Sequence, residues 1–110
     1  MKHFTECKDW HNSTYWKEQR QCVKKRYKNK CCICGSVSSA AVVDHILPFD
    51  SYEGKRKVKL FSSSLNLWCL CSECHGRKTR VCDPWIVKEF QNIRDVPEAK
   101  KRIIKELSSL

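Results

Sequence analysis

The middle of this chain holds residue types that bind metals and move protons, at spacings that suit both tasks. Cys31-Cys-Ile-Cys34 and Cys71-Ser-Glu-Cys74 are two C-x-x-C pairs. Soft thiolates at about 2.3 Å suit a tetrahedral Zn²⁺, and four of them leave no open position, so the expected role is structural. The chain must leave such a zinc at Cys34 and return to it at Cys71, and the excursion between them is expected to hold the working part. Cys32 and Cys69 confuse the register. A C-x-C bite is less usual than C-x-x-C for zinc, so the expected ligands are Cys31, Cys34, Cys71 and Cys74, with Cys7, Cys22 and Cys82 read as small buried or free thiols.

Within the excursion stands "VVDHILPF". A carboxylate beside a histidine suits metal-assisted hydrolysis, one residue as metal ligand and the other as base. In a regular strand Asp44 and His45 face opposite sides. For both to line one cleft, a bulge or a strand end is expected there, and Pro48 fits an ending. His75 directly follows Cys74, which makes Cys71-Ser-Glu-Cys74-His75 formally a c-type haem attachment pattern as well. That alternative needs export, a second axial ligand and an apolar pocket, yet the only methionine is Met1 and no apolar run precedes the cysteines.

The elements that must position these residues follow from periodicity and punctuation. Ser13 is a candidate N-cap for a helix to about Lys28, with Trp16, Val23 and Tyr27 on one face and Lys and Arg elsewhere. Gly35 marks a turn, and a β-rich run spans Ala41 to Ile46. Residues 50–64 read as a long basic loop carrying Lys55, Arg56, Lys57 and Lys59, with a short strand around Val58 to Phe61. A short helix is expected near Ser72, bearing His75, Lys78 and Arg80. Asp83-Pro84 reads as the capped start of a new helix with Ile86, Phe90 and Ile93, and Asp95-Val-Pro97 as the start of a last one with Ala99, Ile103 and Leu107. Trp10, Trp68 and Trp85 are expected in the core, where a small domain needs them. Glu73 and Asp50 are expected to be solvated rather than metal ligands.

At 110 residues, the chain is expected to form a single domain, 1–110, of a size often stapled by metal. Nine cysteines, an odd number, fit a reduced metal-binding protein better than an oxidised secreted one, so the cytoplasm is the expected location. No apolar stretch approaches the length needed to cross a bilayer. The excess of 22 Lys and Arg over 12 Asp and Glu gives a formal charge of +10, which favours a polyanion such as nucleic acid.

Taken in order, Cys31-x-x-Cys34-Gly35, Asp44-His45-Ile-x-Pro48, Asn66 and Cys71-x-x-Cys74-His75-x-x-Lys78-Thr79 resemble the zinc-stabilised HNH endonuclease motif. His45, Asn66 and His75 match its H, N and H. Ser13-x-x-Trp16-x-x-x-Arg20 is similar to the helix that precedes the motif in small phage and bacterial members, so the resemblance covers residues 13 to 80 or so.

The resemblance implies an α+β fold: a ββα-metal core at about 31–80 with a four-cysteine structural zinc, an N-terminal helix at about 13–28 and C-terminal helices at about 84–108. It implies that Asp44 and His75 hold a catalytic Mg²⁺, Mn²⁺ or similar cation, that His45 is the general base, and that Asn66 fixes the loop orienting His45 by hydrogen bonds. The family cleaves DNA, leaving a 5′-phosphate and a 3′-hydroxyl. Lys55, Arg56, Lys57, Lys59, Lys78 and Arg80 are then expected on the DNA backbone. Small phage members are associated with DNA packaging by the terminase, which adds that enzyme as an expected partner and a bacterial host cell as the setting; bacterial relatives serve in restriction. The competing reading is a zinc-finger module that binds DNA without cutting it. Asp44, His45 and His75 together argue against that, since a pure binder has no need of a base beside a metal ligand.

Overall fold

Helix α1 spans Thr14–Arg26 in a computed structural model that describes residues 14–48 and 63–108. Trp16 and Val23 lie two turns apart on its buried face, and Lys24, Lys25 and Arg26 complement the negative end of the helix dipole. The helix stops in a tight left-handed turn. Lys28 and Asn29 take φ of 54° and 57°, and the Asn29 N–H returns to Lys24 O at 2.9 Å. Left-handed backbone is unfavourable for residues with a Cβ, and here it turns the chain into the first cysteine pair.

Strands β1 (Val42–His45) and β2 (Leu67–Leu70) form a two-stranded antiparallel sheet. Their register runs without interruption from Val42↔Leu70 to His45↔Leu67, and Ile46 N–H extends it with a 2.8 Å bond to Asn66 O. All four residues of β2 are buried, which requires cover on both faces. Trp16 and Val23 of α1, together with the helices that follow β2, supply the surrounding core.

From β2 the chain passes into α2 (Ser72–Arg77), then a π turn at Lys78–Cys82, then α3 (Asp83–Glu89). A separate helix capped by Asp83 is expected from sequence, and the structure differs. Lys78, Cys82 and Asp83 all have right-handed helical backbone, so one helical path runs through, and Asp83 N–H reaches back five residues to Lys78 O. Pro84 accounts for the widening: it has no N–H, and in a regular helix its ring would press on the carbonyl four residues earlier. The Asp83 carboxylate, free of capping, turns to Lys78 instead.

Helix α4 (Val96–Ser108) buries Val96, Ala99, Ile103 and Leu107 along one stripe. Its approach is capped by Asn92 rather than by Asp95 alone: Asn92 accepts from Arg94 N–H, and Asp95 accepts from the Asn92 N–H. Arg102 ties α4 to α3, pairing with Glu89 and lying 4.4 Å over the Trp85 ring. Among the described residues no helix is long and apolar enough to cross a membrane. The expectations for Cys7, Trp10 and Ser13, and for Asp50 and the basic loop from Lys55 to Phe61, lie outside the described residues.

Candidate metal and catalytic site

The four sulfur atoms of Cys31, Cys34, Cys71 and Cys74 lie within 4.8 Å of one another. A tetrahedral zinc with bonds near 2.3 Å sets its sulfurs about 3.8 Å apart, and Cys34 Sγ and Cys71 Sγ are 3.6 Å apart. The donor set therefore fits zinc. Each pair is already shaped as a knuckle: Cys31 Sγ accepts from the N–H groups of Ile33 and Cys34 at 3.4 and 3.5 Å, and Cys71 Sγ accepts from Cys74 N–H at 3.3 Å. Gly35, at φ 79°, makes the turn that closes the first knuckle. The Ser36 hydroxyl bonded to Cys34 holds its thiol down to about 6, whereas burial pushes the Cys74 thiol up. Cys32 and Cys69 stand beside the cluster, joined by a Cys32 N–H to Cys69 O bond of 2.9 Å, but are not among the four.

Cys71 caps α2, and one turn later the helix presents His75, whose Nε2 comes to 3.4 Å from Asp44 Oδ1 on β1. Two adjacent ligands of one octahedral cation at about 2.1 Å are about 3 Å apart, so this pair also fits a shared small cation. Asp44 is buried and its other oxygen is engaged: Oδ2 accepts from Trp68 Nε1 at 2.9 Å and lies 3.0 Å from Lys78 Nζ. Glu73, exposed on the same helix, pairs with Arg77 rather than with this site.

Lys78 departs from expectation. Its side chain is fully buried, and Nζ contacts Asp44 Oδ2, Asp83 Oδ1 at 2.7 Å and the backbone O of His45 at 3.0 Å. An ammonium has three protons to donate, and all three have partners inside the protein. Lys78 is thus an internal brace and not a phosphate contact. Arg80, two residues on, is exposed. A Cβ on Gly76 would stand 3.3 Å from Arg80 Nη1, so the guanidinium lies against the helical turn that carries His75.

Of the bulge or strand end expected at Asp44-His45, the structure has the strand end: the ladder keeps register through both residues and β1 stops at His45. Their side chains accordingly diverge. Asp44 meets His75 and Lys78, while the His45 ring stacks on Trp16 of α1, centroids 5.3 Å apart and planes 19° from parallel. Just past His45, the fully buried Asn66 holds the backbone of Leu47 from both sides, Oδ1 accepting from its N–H at 2.8 Å and Nδ2 donating to its O at 2.9 Å.

Sequence reasoning missed Trp68 as a partner of Asp44, and missed Lys78 and Asp83 as a buried ion pair. Trp68 carried a usable signal, since a buried indole requires an acceptor. Asp83, beside Pro84, imitates a helix cap, and that resemblance hid its charge from Lys78.

A protein from Lactococcus phage SK1 named "Probable HNH endonuclease" is 32% identical to this chain over 71 residues, which are 64% of this chain and 74% of that protein. No protein-family model and no solved structure matches the chain.

Proposed function

We propose that this chain, which belongs to the HNH endonuclease family, is a DNA endonuclease or nickase that hydrolyses phosphodiester bonds around a cation held by Asp44 and His75. The observation that carries the reading is the approach of Asp44 Oδ1 and His75 Nε2 to 3.4 Å from a strand and a helix far apart in sequence. Order supports it as well: β1 supplies Asp44 and His45, β2 returns the chain, and α2 supplies His75, the sequence of parts in a ββα-metal core.

When bound, Mg²⁺ or Mn²⁺ would polarise a phosphoryl oxygen and stabilise the departing 3′-oxygen. His45 receives the proton of the attacking water. It is the last residue of β1 and directly follows Asp44 in the chain. In this reading a phosphate bound where β1 ends would lie between the imidazole and the Asp44–His75 pair. Trp16 fixes the ring plane and Asn66 fixes the backbone beyond it, so neither residue needs to touch substrate. Water forms the new bond to phosphorus, the bond to the 3′-oxygen breaks and that oxygen takes a proton from solvent water, so the products are a 5′-phosphate and a 3′-hydroxyl. Arg80 and the basic residues Lys55, Arg56, Lys57 and Lys59 hold neighbouring phosphates.

The zinc thiolates serve this site at one remove, by clamping the start of α2 and so the placement of His75. Action on phage DNA beside a terminase, inside a bacterial host, is the setting proposed with this chemistry; the phage source of the relative supports only the phage part of it. The direct test is supercoiled plasmid incubated with the zinc-loaded protein and Mn²⁺ or Mg²⁺, with and without EDTA. Open-circular DNA with 5′-phosphate ends, formed only with the divalent cation, is the expected result. Binding without strand cleavage under every cation would overturn the assignment.

A further inference from the structure

The two oxygens of Asp44 have unlike surroundings. Oδ2 accepts from Trp68 Nε1 at 2.9 Å and lies 3.0 Å from Lys78 Nζ, and both of those side chains are fully buried. A carboxylate oxygen offers about two lone-pair directions, so Oδ2 is filled by its protein donors. Oδ1 alone faces His75. Neither donor can swing away. Trp68 sits directly opposite Asp44 in the β ladder, and Lys78 is pinned by Asp83 and by the carbonyl of His45.

We propose that Trp68 and Lys78 determine which cation this site takes, by restricting Asp44 to a single-oxygen grip. Mg²⁺ and Mn²⁺ accept a near-octahedral set of single oxygens and keep several waters, whereas Ca²⁺ takes six to eight oxygens and often both from one carboxylate. A site whose buried carboxylate is half occupied by an indole and an ammonium therefore disfavours the larger ion. The inference rests on the reading of Asp44 and His75 as cation ligands and adds the means of selection.

The test measures Mn²⁺ binding to zinc-loaded protein by the electron paramagnetic resonance of free Mn²⁺, with Ca²⁺ as competitor. Wild type, Trp68→Phe and Lys78→Met are compared, and Asp44→Asn locates the site. Freeing a lone pair of Oδ2 is expected to raise the ratio of Ca²⁺ to Mn²⁺ affinity about tenfold in each variant, the usual scale for residues that support a metal ligand. Because both ions carry the same charge, the ratio cancels the general effect of removing the Lys78 ammonium. An unchanged ratio in a variant that keeps its zinc and its melting transition overturns the proposal.

Both substitutions are in the core, so a measurement on wild type stands beside them. Infrared difference spectra of Mn²⁺-loaded protein labelled with ¹³C at aspartate carboxyls, with Asp44→Asn to assign the band, report how Asp44 binds. A splitting between its two carboxylate stretches wider than in free carboxylate marks one-oxygen binding and is expected; a narrower one marks two-oxygen binding and overturns the proposal whatever the variants do. If Asp44→Asn leaves Mn²⁺ binding untouched, the cation-ligand reading falls too. An Asp44-dependent site with an unchanged ratio removes only the present inference.

Discussion

Lys78 Nζ donates to the backbone carbonyl of His45 at 3.0 Å, so one fully buried ammonium ties the helical segment after the second cysteine pair to the strand that bears the proposed base. The same ammonium reaches Asp44 and Asp83. A basic residue that reads in sequence as part of a DNA-binding surface is thereby an internal support for both halves of the site.

Lys78 and Arg80 should therefore separate cleanly. Removing one member of a buried charge pair typically costs about 3–5 kcal/mol, so Lys78→Ala should lower the melting temperature sharply. Arg80→Gln, at an exposed position, should change stability by less than about 0.5 kcal/mol. It should also reduce the slope of log affinity for DNA against log salt by about 1. Equal melting temperatures for the two variants would contradict the buried geometry.

Asn66→Ala leaves the N–H and the carbonyl of Leu47 without their partners in a fully buried place. The expected destabilisation is about 2–4 kcal/mol, from two unsatisfied backbone groups. Chemical denaturation measures it, and zinc content should be unchanged because Asn66 is remote from the thiolates in role. A cost below about 0.5 kcal/mol would mean that the bracket on Leu47 is not made.

The four-cysteine cluster, read as a zinc site, predicts opposite outcomes for neighbouring cysteines. Structural zinc contributes on the order of 10 kcal/mol in small zinc domains, comparable to the whole stability of a domain this size. Cys71→Ser should lose its zinc by elemental analysis and with it any cooperative melting transition. Cys32→Ser, which lies outside the four-sulfur cluster, should retain one zinc per chain. Loss of zinc from the Cys32 variant and retention in the Cys71 variant would replace this ligand set with one that includes Cys32 and excludes Cys71.

Much of this was legible from residue types. The seven-residue spacing of Trp16 and Val23 marked the buried face of α1, and the stripe of Ala99, Ile103 and Leu107 marked that of α4. The two C-x-x-C pairs pointed to four sulfurs that the fold does bring together. What stayed hidden depended on tertiary partners. Nothing local distinguishes Lys78 from Arg80, because burial is decided by Asp83 and Asp44 arriving at the same point. The π turn was hidden behind Asp83-Pro84, a pair that equally well describes a capped helix start. At Asp44-His45 the strand end suggested by Pro48 is found, β1 stopping at His45 with its register intact, but the partners the two side chains go to, His75 and Lys78 for Asp44 and Trp16 for His45, were not legible.

The most direct measurement of the central claim is the nicking rate of supercoiled plasmid in Mn²⁺ by wild type and by His45→Ala, each verified for zinc content and melting temperature. A general base contributes about 10²–10⁴-fold to rate, so the variant should nick at least about a hundredfold more slowly while binding DNA as wild type does. Equal nicking by the two proteins would contradict the account, and would move the chemistry away from His45.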